Sequence, residues 1–323
     1  MKVLVTGGAG YIGSVLVDTL IVDGHQVNVV DDLSNGFVEN IHRNANFIEG
    51  SFLDHNILNK ALSDVEAVFH LAAKIRVEEG ENKPDLYKKV NVDGTLNLIR
   101  VCKEKEIKKF IFASSAAVYG NSEDFPVTER TKESPVNVYG QTKLEIDKYL
   151  EKNAAELQIS SISFRFFNVG GALKNSAGNW LRIKHEGATH LIPSILQSSP
   201  TNPLLIYGND WPTPDGTPIR DFVHVTDLAD ALVKSLAHLE KPGNTVINIG
   251  SAKGSTVLEV VAVAESVLGR KINYKVIGRR PGDSFALVTN NQVAKDVLGW
   301  APVNSLSNIL EDATEELTTN NQP

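Results

Sequence analysis

A short apolar run at the start of the chain leads directly into a turn built from three regularly spaced glycines. Lys2–Thr6 predicts a β-strand, and Tyr11–Asp23 predicts a helix that begins at the end of the turn. Gly7 permits the tight turn, Gly10 lets the backbone approach a ligand, and Gly13 lets the helix pack close to the strand. The helix N-terminus then offers free N–H groups and a positive dipole to phosphate. This arrangement predicts a site for the pyrophosphate of a dinucleotide.

An acidic residue at the end of the second strand indicates which dinucleotide is bound. Gln26–Val30 predicts that strand, and Asp31 follows it, eighteen residues beyond Gly13. A carboxylate at this position accepts hydrogen bonds from the adenosine ribose and repels a 2′-phosphate, so NAD is favoured over NADP. The alternative is a tight turn without a ligand, beside a solvated acid.

The rest of the first half alternates apolar, β-branched runs with longer amphipathic stretches. Continuous apolar strands between helices are typical of a parallel sheet covered on both faces, and right-handed crossovers then produce a doubly wound, Rossmann-type α/β fold. The further predicted strands are Asn46–Glu49, Glu66–Leu71, Lys108–Ser114 and Ile159–Phe166, and the further predicted helices are Pro84–Lys105 and Val138–Leu157.

The pattern changes after Asn168, where segments rich in glycine, asparagine and lysine separate shorter elements. We therefore expect an NAD-binding Rossmann domain over residues 1–169 and a smaller C-terminal α/β substrate domain over residues 170–323. Some elements of the second half, Val246–Ile249 above all, are expected to return to the large sheet. The polar tail Thr318–Pro323 is expected to fray.

Charge and composition argue against several classes of protein. The net charge of −7 argues against a general nucleic-acid binder and against docking on anionic lipid, although a few arginines could still hold a diphosphate. The single cysteine, Cys102, excludes an intramolecular disulfide and a cysteine metal cluster. His70, His190 and His224 lack metal-ligand spacing, so no metal is expected. Without a signal peptide or a membrane-spanning run in the sequence, a cytoplasmic protein is expected.

Tyr139 and Lys143 form a Tyr-x-x-x-Lys pair on one face of a predicted helix. A free tyrosine has a pKa of about 10, which must fall by roughly three units before the side chain can act as a base near neutral pH. A lysine ammonium one turn away favours the phenolate, so the pair predicts proton transfer coupled to hydride transfer. For these two residues alone, a surface pair without function is the alternative. Ser115 follows the fifth strand, where ligands bind in such sheets, and its hydroxyl could bond the same substrate oxygen.

Longer motifs carry a family resemblance. The Gly-x-x-Gly-x-x-Gly spacing resembles the extended short-chain dehydrogenase/reductase superfamily. The stretch from Tyr207 to Val225, YGNDWPTPDGTPIRDFVHV, is similar to a long and specific segment of UDP-glucose 4-epimerases. Phe166-Phe167-Asn168 and Arg279-Arg280-Pro281-Gly282-Asp283 match the same family in order, and the resemblance runs from residue 1 to about residue 310. It implies inversion at C4 of a UDP-hexose through a transient 4-keto sugar, with NAD kept bound and no net oxidation.

The residues beside Ser115 separate the related activities that the resemblance allows. Sugar-nucleotide 4,6-dehydratases carry an Asp-Glu pair after a threonine, and the analogous decarboxylases use a glutamate there. Here the stretch is Ser115-Ala116-Ala117, without a carboxylate. Another extended-family enzyme, such as a uronate epimerase or a sugar-nucleotide reductase, remains an alternative. A non-catalytic NAD-sensing protein is a second alternative, although such proteins typically lose the Tyr/Lys pair.

The resemblance also implies a role for each matched residue. Arg220 and Arg280 would clamp the diphosphate, Asp283 would accept hydrogen bonds from the uridine ribose, and Leu204–Tyr207 would flank the uracil. The catalytic residues implied are Tyr139, Lys143 and Ser115. The implied cofactor-binding residues are Gly7, Gly10, Tyr11, Ile12, Gly13, Asp31, Asp32, Ser34, Asn35, Gly36, Ser51, Phe52, Leu71, Ala72, Ala73, Lys74, Asn91, Ser114, Tyr139, Lys143, Phe166 and Phe167. The implied substrate-binding residues are Ser115, Tyr139, Asn168, His190, Leu191, Leu204, Ile206, Tyr207, Arg220, Arg280, Asp283 and Leu287.

Two positions depart from the pattern of the family. Ser51 stands where an aspartate often meets the adenine. Leu287 stands beside the implied sugar pocket, where a tyrosine restricts the family to unsubstituted hexoses and a smaller residue admits an N-acetyl group. Leucine is intermediate, so UDP-GlcNAc and UDP-GalNAc could also be accepted. The resemblance further suggests a homodimer joined by the helices near Asn91–Glu106 and Val138–Leu157.

Overall fold

Strand β1 (Lys2–Thr6) lies inside a seven-stranded parallel sheet in the computed structural model, which describes residues 1–184, 190–280 and 282–320. Across the sheet the strands are β10 (Gly243–Ile249), β6 (Ser160–Phe166), β5 (Lys109–Ser115), β4 (Ala67–His70), β1, β2 (Gln26–Asp31) and β3 (Asn46–Glu49). The order reverses direction at β1 and β4, as in doubly wound dinucleotide-binding sheets. The predicted fold class is confirmed, and β10 is the element of the second half that returns to the large sheet.

Helices cover both faces of this sheet and bury its apolar strands in two cores. On one face, α1 (Tyr11–Val22), α8 (Val225–Ser235) and α10 (Gln292–Leu298) pack over residues such as Val5, Phe69 and Ile247. On the other face, α2 (His55–Ala61), α5 (Thr95–Glu104) and α6 (Val138–Asn153) pack over Leu4, Phe110 and their neighbours. Because both faces are covered, the strands are buried, and in such sheets ligands bind at the carboxyl ends of the strands.

The predicted helix Pro84–Lys105 is interrupted in the structure. Short helices α3 (Val77–Asn82) and α4 (Pro84–Tyr87) are followed by a π-helical segment, Lys88–Gly94, and α5 begins only at Thr95. Gly94 packs directly against Leu53 and Phe52. π-Helical segments such as Lys88–Gly94 are frequent at functional sites.

Smaller sheets and helices of the second half lie beside the carboxyl edge of the large sheet. β9 (Ile219–His224) pairs with β7 (Asn168–Gly170), β11 (Gly254–Thr256) and β13 (Ala286–Leu287), while β8 (Leu204–Tyr207) pairs with β12 (Tyr274–Ile277). The remaining helices are α7 (Leu191–Leu196), α9 (Val257–Leu268) and α11 (Leu306–Asn320).

The chain end differs from the sequence-based expectation. Helix α11 continues through Thr318 to Asn320, because Ile309, Leu310 and Ala313 bury one face of it in the core around β8 and α9. Residues 318–320 are helical in the structure, and the last three residues of the tail lie outside the described part of the chain.

Candidate active site

The glycine turn between β1 and α1 leaves a helix N-terminus uncovered. Gly7 adopts a φ of +75°, and a Cβ on Gly13 would lie 2.0 Å from the Gly7 carbonyl oxygen, so the backbone here is closer than any other residue allows. Gly10 caps α1 without a side-chain hydrogen bond, which leaves the first-turn N–H groups free of such a partner. These groups fit the pyrophosphate of a dinucleotide.

Asp31 occupies the end of β2 beside this turn. Its Oδ2 accepts a hydrogen bond from the Ala9 N–H at 3.0 Å, and its Oδ1 accepts one from the Leu33 N–H at 2.9 Å. Burial raises the pKa of the carboxyl, and the two backbone donors oppose that rise. Since a carboxylate oxygen can accept more than one hydrogen bond, Asp31 retains capacity for a ribose hydroxyl.

A cavity of about 620 Å³ lies along the carboxyl ends of the central strands. Of the predicted cofactor-binding residues, all but Asn91 and Phe167 line it, and the predicted substrate residues His190 and Tyr139 line it as well. The volume is typical of a site for a cofactor-sized ligand. The site therefore combines a glycine cradle, an uncapped helix and an acid at β2, which together fit NAD.

Asn91 and Phe167 lie behind the cavity wall. Asn91 accepts a hydrogen bond from the Lys74 N–H at 2.8 Å, and its amide donates to the Lys74 carbonyl and to Thr142 Oγ1. It therefore holds the Lys74 segment, which does line the cavity. Phe167 is buried in a small core with Val118 and Tyr119. Neither residue is among those that line the cavity.

Tyr139 and Lys143 meet at the sheet end of α6. The helix begins at Asn137, whose side chain accepts from the Gly140 N–H at 2.8 Å. Lys143 is 3% exposed, and its Nζ donates to the Ala113 carbonyl at 2.7 Å. The same Nζ lies 5.8 Å from the centre of the half-buried Tyr139 ring. The predicted pair thus comes together at the cavity.

Ser115 ends β5 beside the tyrosine. Its Oγ accepts from the Ala117 N–H at 3.1 Å and also bonds the Tyr139 hydroxyl. Burial raises the pKa of Tyr139, and the bond to Ser115 only partly opposes the rise, so desolvation works against the phenolate that the Tyr/Lys pair predicts. Burial also lowers the pKa of Lys143, to about 8.

The predicted nucleotide residues of the second half form a separate group at the end of β9. Arg220 Nη2 lies 3.6 Å from Asp283 Oδ1, and Arg220 Nη1 donates to the carbonyls of Ile219 and Ser284. The Arg280 guanidinium lies 4.0 Å from the centre of the Tyr207 ring. The two arginines are close enough for the charge of Arg280 to act on Arg220.

His190 connects this group to the cavity. It caps α7 and lines the cavity wall, while burial and the nearby Arg280 charge lower its pKa. Asn168, at the start of β7, donates its amide to the Asp221 carbonyl at 3.0 Å. Leu287 lies opposite Arg220 in the β13–β9 pair and packs near Phe167, and Leu191 packs against the core of the second half.

The side chains of Leu204 and Ile206 are placed differently from the expectation. Both point into the core with α9 and α11 and are at most 3% exposed, because alternate residues of a strand face opposite sides. Within Leu204–Tyr207, the strand predicted to flank the uracil, only Tyr207 is both partly exposed and in contact with Arg280, whose guanidinium lies over its ring.

The comparisons with known proteins decide the family. The model of the NAD-dependent epimerase/dehydratase family matches residues 3–250. The chain belongs to the NAD-dependent epimerase/dehydratase family. The resemblance to UDP-glucose 4-epimerases that the motifs carry is confirmed, as is NAD dependence.

Three relatives of this epimerase/dehydratase chain are informative. A UDP-glucose 4-epimerase from Corynebacterium glutamicum is 39% identical over 318 residues, which cover 97% of this chain and 94% of the relative. The crystal structure of a UDP-glucose 4-epimerase from Stenotrophomonas maltophila, with bound NAD and formylated UDP-arabinopyranose, is 31% identical with a TM-score of 0.93, covering 99% of this chain and 98% of that one. A UDP-Glc/GlcNAc 4-epimerase from Campylobacter jejuni is 31% identical with a TM-score of 0.85, covering 98% of this chain and 99% of that one.

Some cavity residues of this epimerase/dehydratase chain carry no signal in the sequence. Arg182, Ile183 and Lys184 line the cavity from a segment without periodicity. Asn40 holds Arg182 through bonds to its N–H and carbonyl at 2.7 and 2.9 Å, and buried Glu316 of α11 accepts from the Ile183 N–H at 2.9 Å. These contacts join residues more than 130 positions apart, so spacing within the chain could not indicate them.

In the described part of the chain, no helix is long and apolar enough to span a membrane.

Proposed function

We propose that this chain is an epimerase that inverts C4 of UDP-glucose and UDP-galactose with tightly bound NAD. The observation that supports this best is that Tyr139 and Lys143 line a dinucleotide cavity, while Ser115 bonds the Tyr139 hydroxyl and is followed by two alanines. An epimerase needs one proton acceptor at the 4-OH and no acid acting at C5 or C6. The dehydratase members of the family need such an acid, and the chain lacks it at this place.

In the proposed mechanism, Tyr139 takes the proton from the sugar 4-OH and later returns it. The glycine turn and Asp31 would hold NAD, which when bound would supply the acceptor, and then the donor, of the C4 hydride. Ser115 hydrogen-bonds both the tyrosine and the substrate oxygen, so the proton has a short path. Lys143 places a positive charge beside the phenolate that forms, which favours it. The tyrosine thus acts as base in one half of the cycle and as acid in the other.

The group at the end of β9 is proposed to hold the nucleotide while the sugar turns. Arg220 and Arg280 would bind the diphosphate by charge-assisted hydrogen bonds, and Asp283 would accept from the uridine ribose. Tyr207 would lie against the uracil. Inversion requires the 4-keto sugar to present both faces to one cofactor, so a fixed nucleotide with a rotating sugar satisfies the geometry.

Incubation of the purified protein with UDP-galactose and no added cofactor tests this proposal. We expect UDP-glucose to accumulate to equilibrium without a lasting change in absorbance at the nicotinamide band. In a parallel incubation with added NADH, stoichiometric consumption of the NADH would instead indicate a reductase. Turnover of UDP-glucuronate without turnover of UDP-galactose would indicate a uronate epimerase. Binding of NAD without turnover of any of these sugars would indicate a non-catalytic NAD sensor.

N-acetylated sugars are a second candidate substrate class. Leu287 is smaller than the tyrosine that restricts the implied pocket, and the Campylobacter jejuni neighbour is described as a UDP-Glc/GlcNAc 4-epimerase. Initial rates on UDP-galactose and UDP-GalNAc measure the preference. Without detectable turnover of UDP-GalNAc, this extension fails while the main proposal stands.

We also propose which part of the chain binds each ligand and how the chain assembles. Residues 1–169 would bind NAD and residues 170–323 would bind the sugar nucleotide, apart from the segments that join the large sheet. A cytoplasmic location agrees with the single buried thiol. A homodimer through the helices near 91–106 and 138–157 agrees with the family resemblance. Size-exclusion chromatography with light scattering distinguishes a dimer from a monomer of 35.2 kDa.

A further inference from the structure

Three ionisable side chains follow one stripe along α6. Tyr139, Lys143 and Asp147 are spaced by four residues, which places them on one face of the helix. The first two form the proposed proton-transfer pair. Asp147 lies one turn beyond, is 1% exposed, and has no role in the mechanism described above.

The Asp147 carboxylate contacts the strand that carries Ser115. Its Oδ2 accepts from Ser114 Oγ at 2.9 Å and from Arg165 Nε at 3.0 Å. Burial raises the pKa of the carboxyl, and Arg165 with the hydroxyls of Ser114 and Ser163 opposes that rise. Burying a carboxylate is costly even when an arginine is paired with it, so its presence here calls for another reason.

The surroundings of Lys143 supply that reason. Within the described part of the chain its Nζ bonds only a neutral carbonyl, that of Ala113, and it lies 4.9 Å from the centre of the Phe112 ring. Burial lowers the pKa of Lys143 to about 8, and the Asp147 charge opposes this fall. The other titratable groups facing Lys143 are uncharged near neutral pH. Burial lowers the pKa of His70 on β4 to about 3 and raises that of Tyr139.

We propose that Asp147 is a positioning residue for proton transfer: its buried carboxylate keeps Lys143 charged and, through Ser114, fixes the end of β5 that presents Ser115. The proposal rests on the function proposed above. Asp147 acts only through Lys143 and Ser114 and does not contact the substrate.

A structural ion pair with Arg165 is the competing explanation, and the structure offers a matched control for it. Arg165 is 1% exposed and binds a second carboxylate, Glu133 Oε1, through Nη2 at 2.9 Å, and also the Tyr119 hydroxyl at 3.0 Å. Glu133 additionally pairs with the exposed Lys148. Glu133→Gln therefore removes a carboxylate from the same guanidinium without changing the surroundings of Lys143.

The test compares Asp147→Asn with Glu133→Gln in NAD-loaded protein as purified. With ¹³C-labelled lysine, the Lys143 resonance is assigned by its loss in Lys143→Met and followed through a pH titration. For Asp147→Asn we expect the Lys143 titration, and the alkaline limb of kcat/KM on UDP-galactose, to move down by about one pH unit or more. With a wild-type midpoint near pH 8, a shift of one unit lowers kcat/KM at pH 8 about fivefold. Glu133→Gln is expected to leave both midpoints in place.

Equal midpoints in wild type and Asp147→Asn would overturn the proposal, as would equal shifts in the two variants. If Asp147→Asn does not fold, the double variant Asp147→Asn/Arg165→Met removes both buried charges, and the same downward shift of Lys143 is expected from it. The lysine titration needs no sugar substrate. An error in the proposed substrate would therefore appear as lost turnover of the wild type, with the Lys143 shift preserved.

Discussion

The Lys143 ammonium lies 5.8 Å from the centre of the Tyr139 ring, one helical turn away on α6. The positive charge is held in place by the Ala113 carbonyl, so it faces the phenol whenever the helix is formed. Because burial raises the pKa of Tyr139, the phenolate depends in part on the Lys143 ammonium for its stabilisation.

Tyr139→Phe removes the group that carries the proton while the ring remains. We expect kcat to fall by roughly 10²–10⁴ or more, as for loss of a general acid or base, with little change in the midpoint of thermal unfolding. Steady-state rates on UDP-galactose and circular dichroism check both parts. Near-normal turnover in this variant would contradict the mechanism.

Gly13→Ala places a methyl group 2.0 Å from the Gly7 carbonyl oxygen, so the turn or the helix must shift. Overpacking of this kind destabilises by about 1–3 kcal/mol, and the displaced N–H groups should lose NAD. Urea unfolding and the nicotinamide content of the purified protein measure the two effects. Gly278→Ala is the control, since a Cβ there meets nothing within 4 Å, and it should change neither quantity.

Arg280→Ala removes one cation of the proposed diphosphate clamp. Hydrogen bonds to charged groups contribute about 1.5–3 kcal/mol, so KM for UDP-galactose should rise roughly 10- to 100-fold while kcat changes less. The control is Arg100→Ala, which removes an exposed arginine paired with Glu104 at 3.2 Å. An unchanged KM in Arg280→Ala would place the diphosphate elsewhere.

The neutral His70 imidazole lies within hydrogen-bond distance of both the large sheet and α5. Its Nδ1 lies 2.7 Å from Thr6 Oγ1 and its Nε2 lies 2.8 Å from Thr95 Oγ1, and burial lowers its pKa to about 3. The unfolded chain, with a pKa near 6.5, binds the proton first, so this residue makes stability decrease as pH falls below about 6.5. The decrease is about 1.4 kcal/mol per pH unit until the folded pKa is reached.

His70→Gln should remove that dependence. Although the variant is less stable at pH 7, its free energy of unfolding in urea should fall less between pH 7 and pH 5 than that of the wild type. His55→Gln, at an exposed histidine, should keep the dependence of the wild type. Parallel curves for the wild type and His70→Gln would show that His70 titrates normally.

Features that depend on neighbours close in the chain were open to prediction. The glycine turn, Asp31 and the Tyr139/Lys143 pair each lie within one strand–turn–helix unit or one helical turn, where spacing alone determines geometry. The doubly wound fold class also followed, because apolar strands between helices permit few topologies. Hence most of the predicted cofactor residues line one cavity.

The tertiary structure decided what depends on contacts between distant segments and on exclusion of water. Examples are the Asn40–Arg182 contact, the burial of Leu204 and Ile206, and the Asp147–Arg165 pair beside Lys143. The pKa of Tyr139 belongs here too, since spacing predicts the attraction of a nearby charge but not the desolvation that opposes it. By itself the sequence determined which groups could react, and the folded chain decided which of them are buried, paired and charged, because burial and long-range pairing exist only once the sheet and its covering layers have formed.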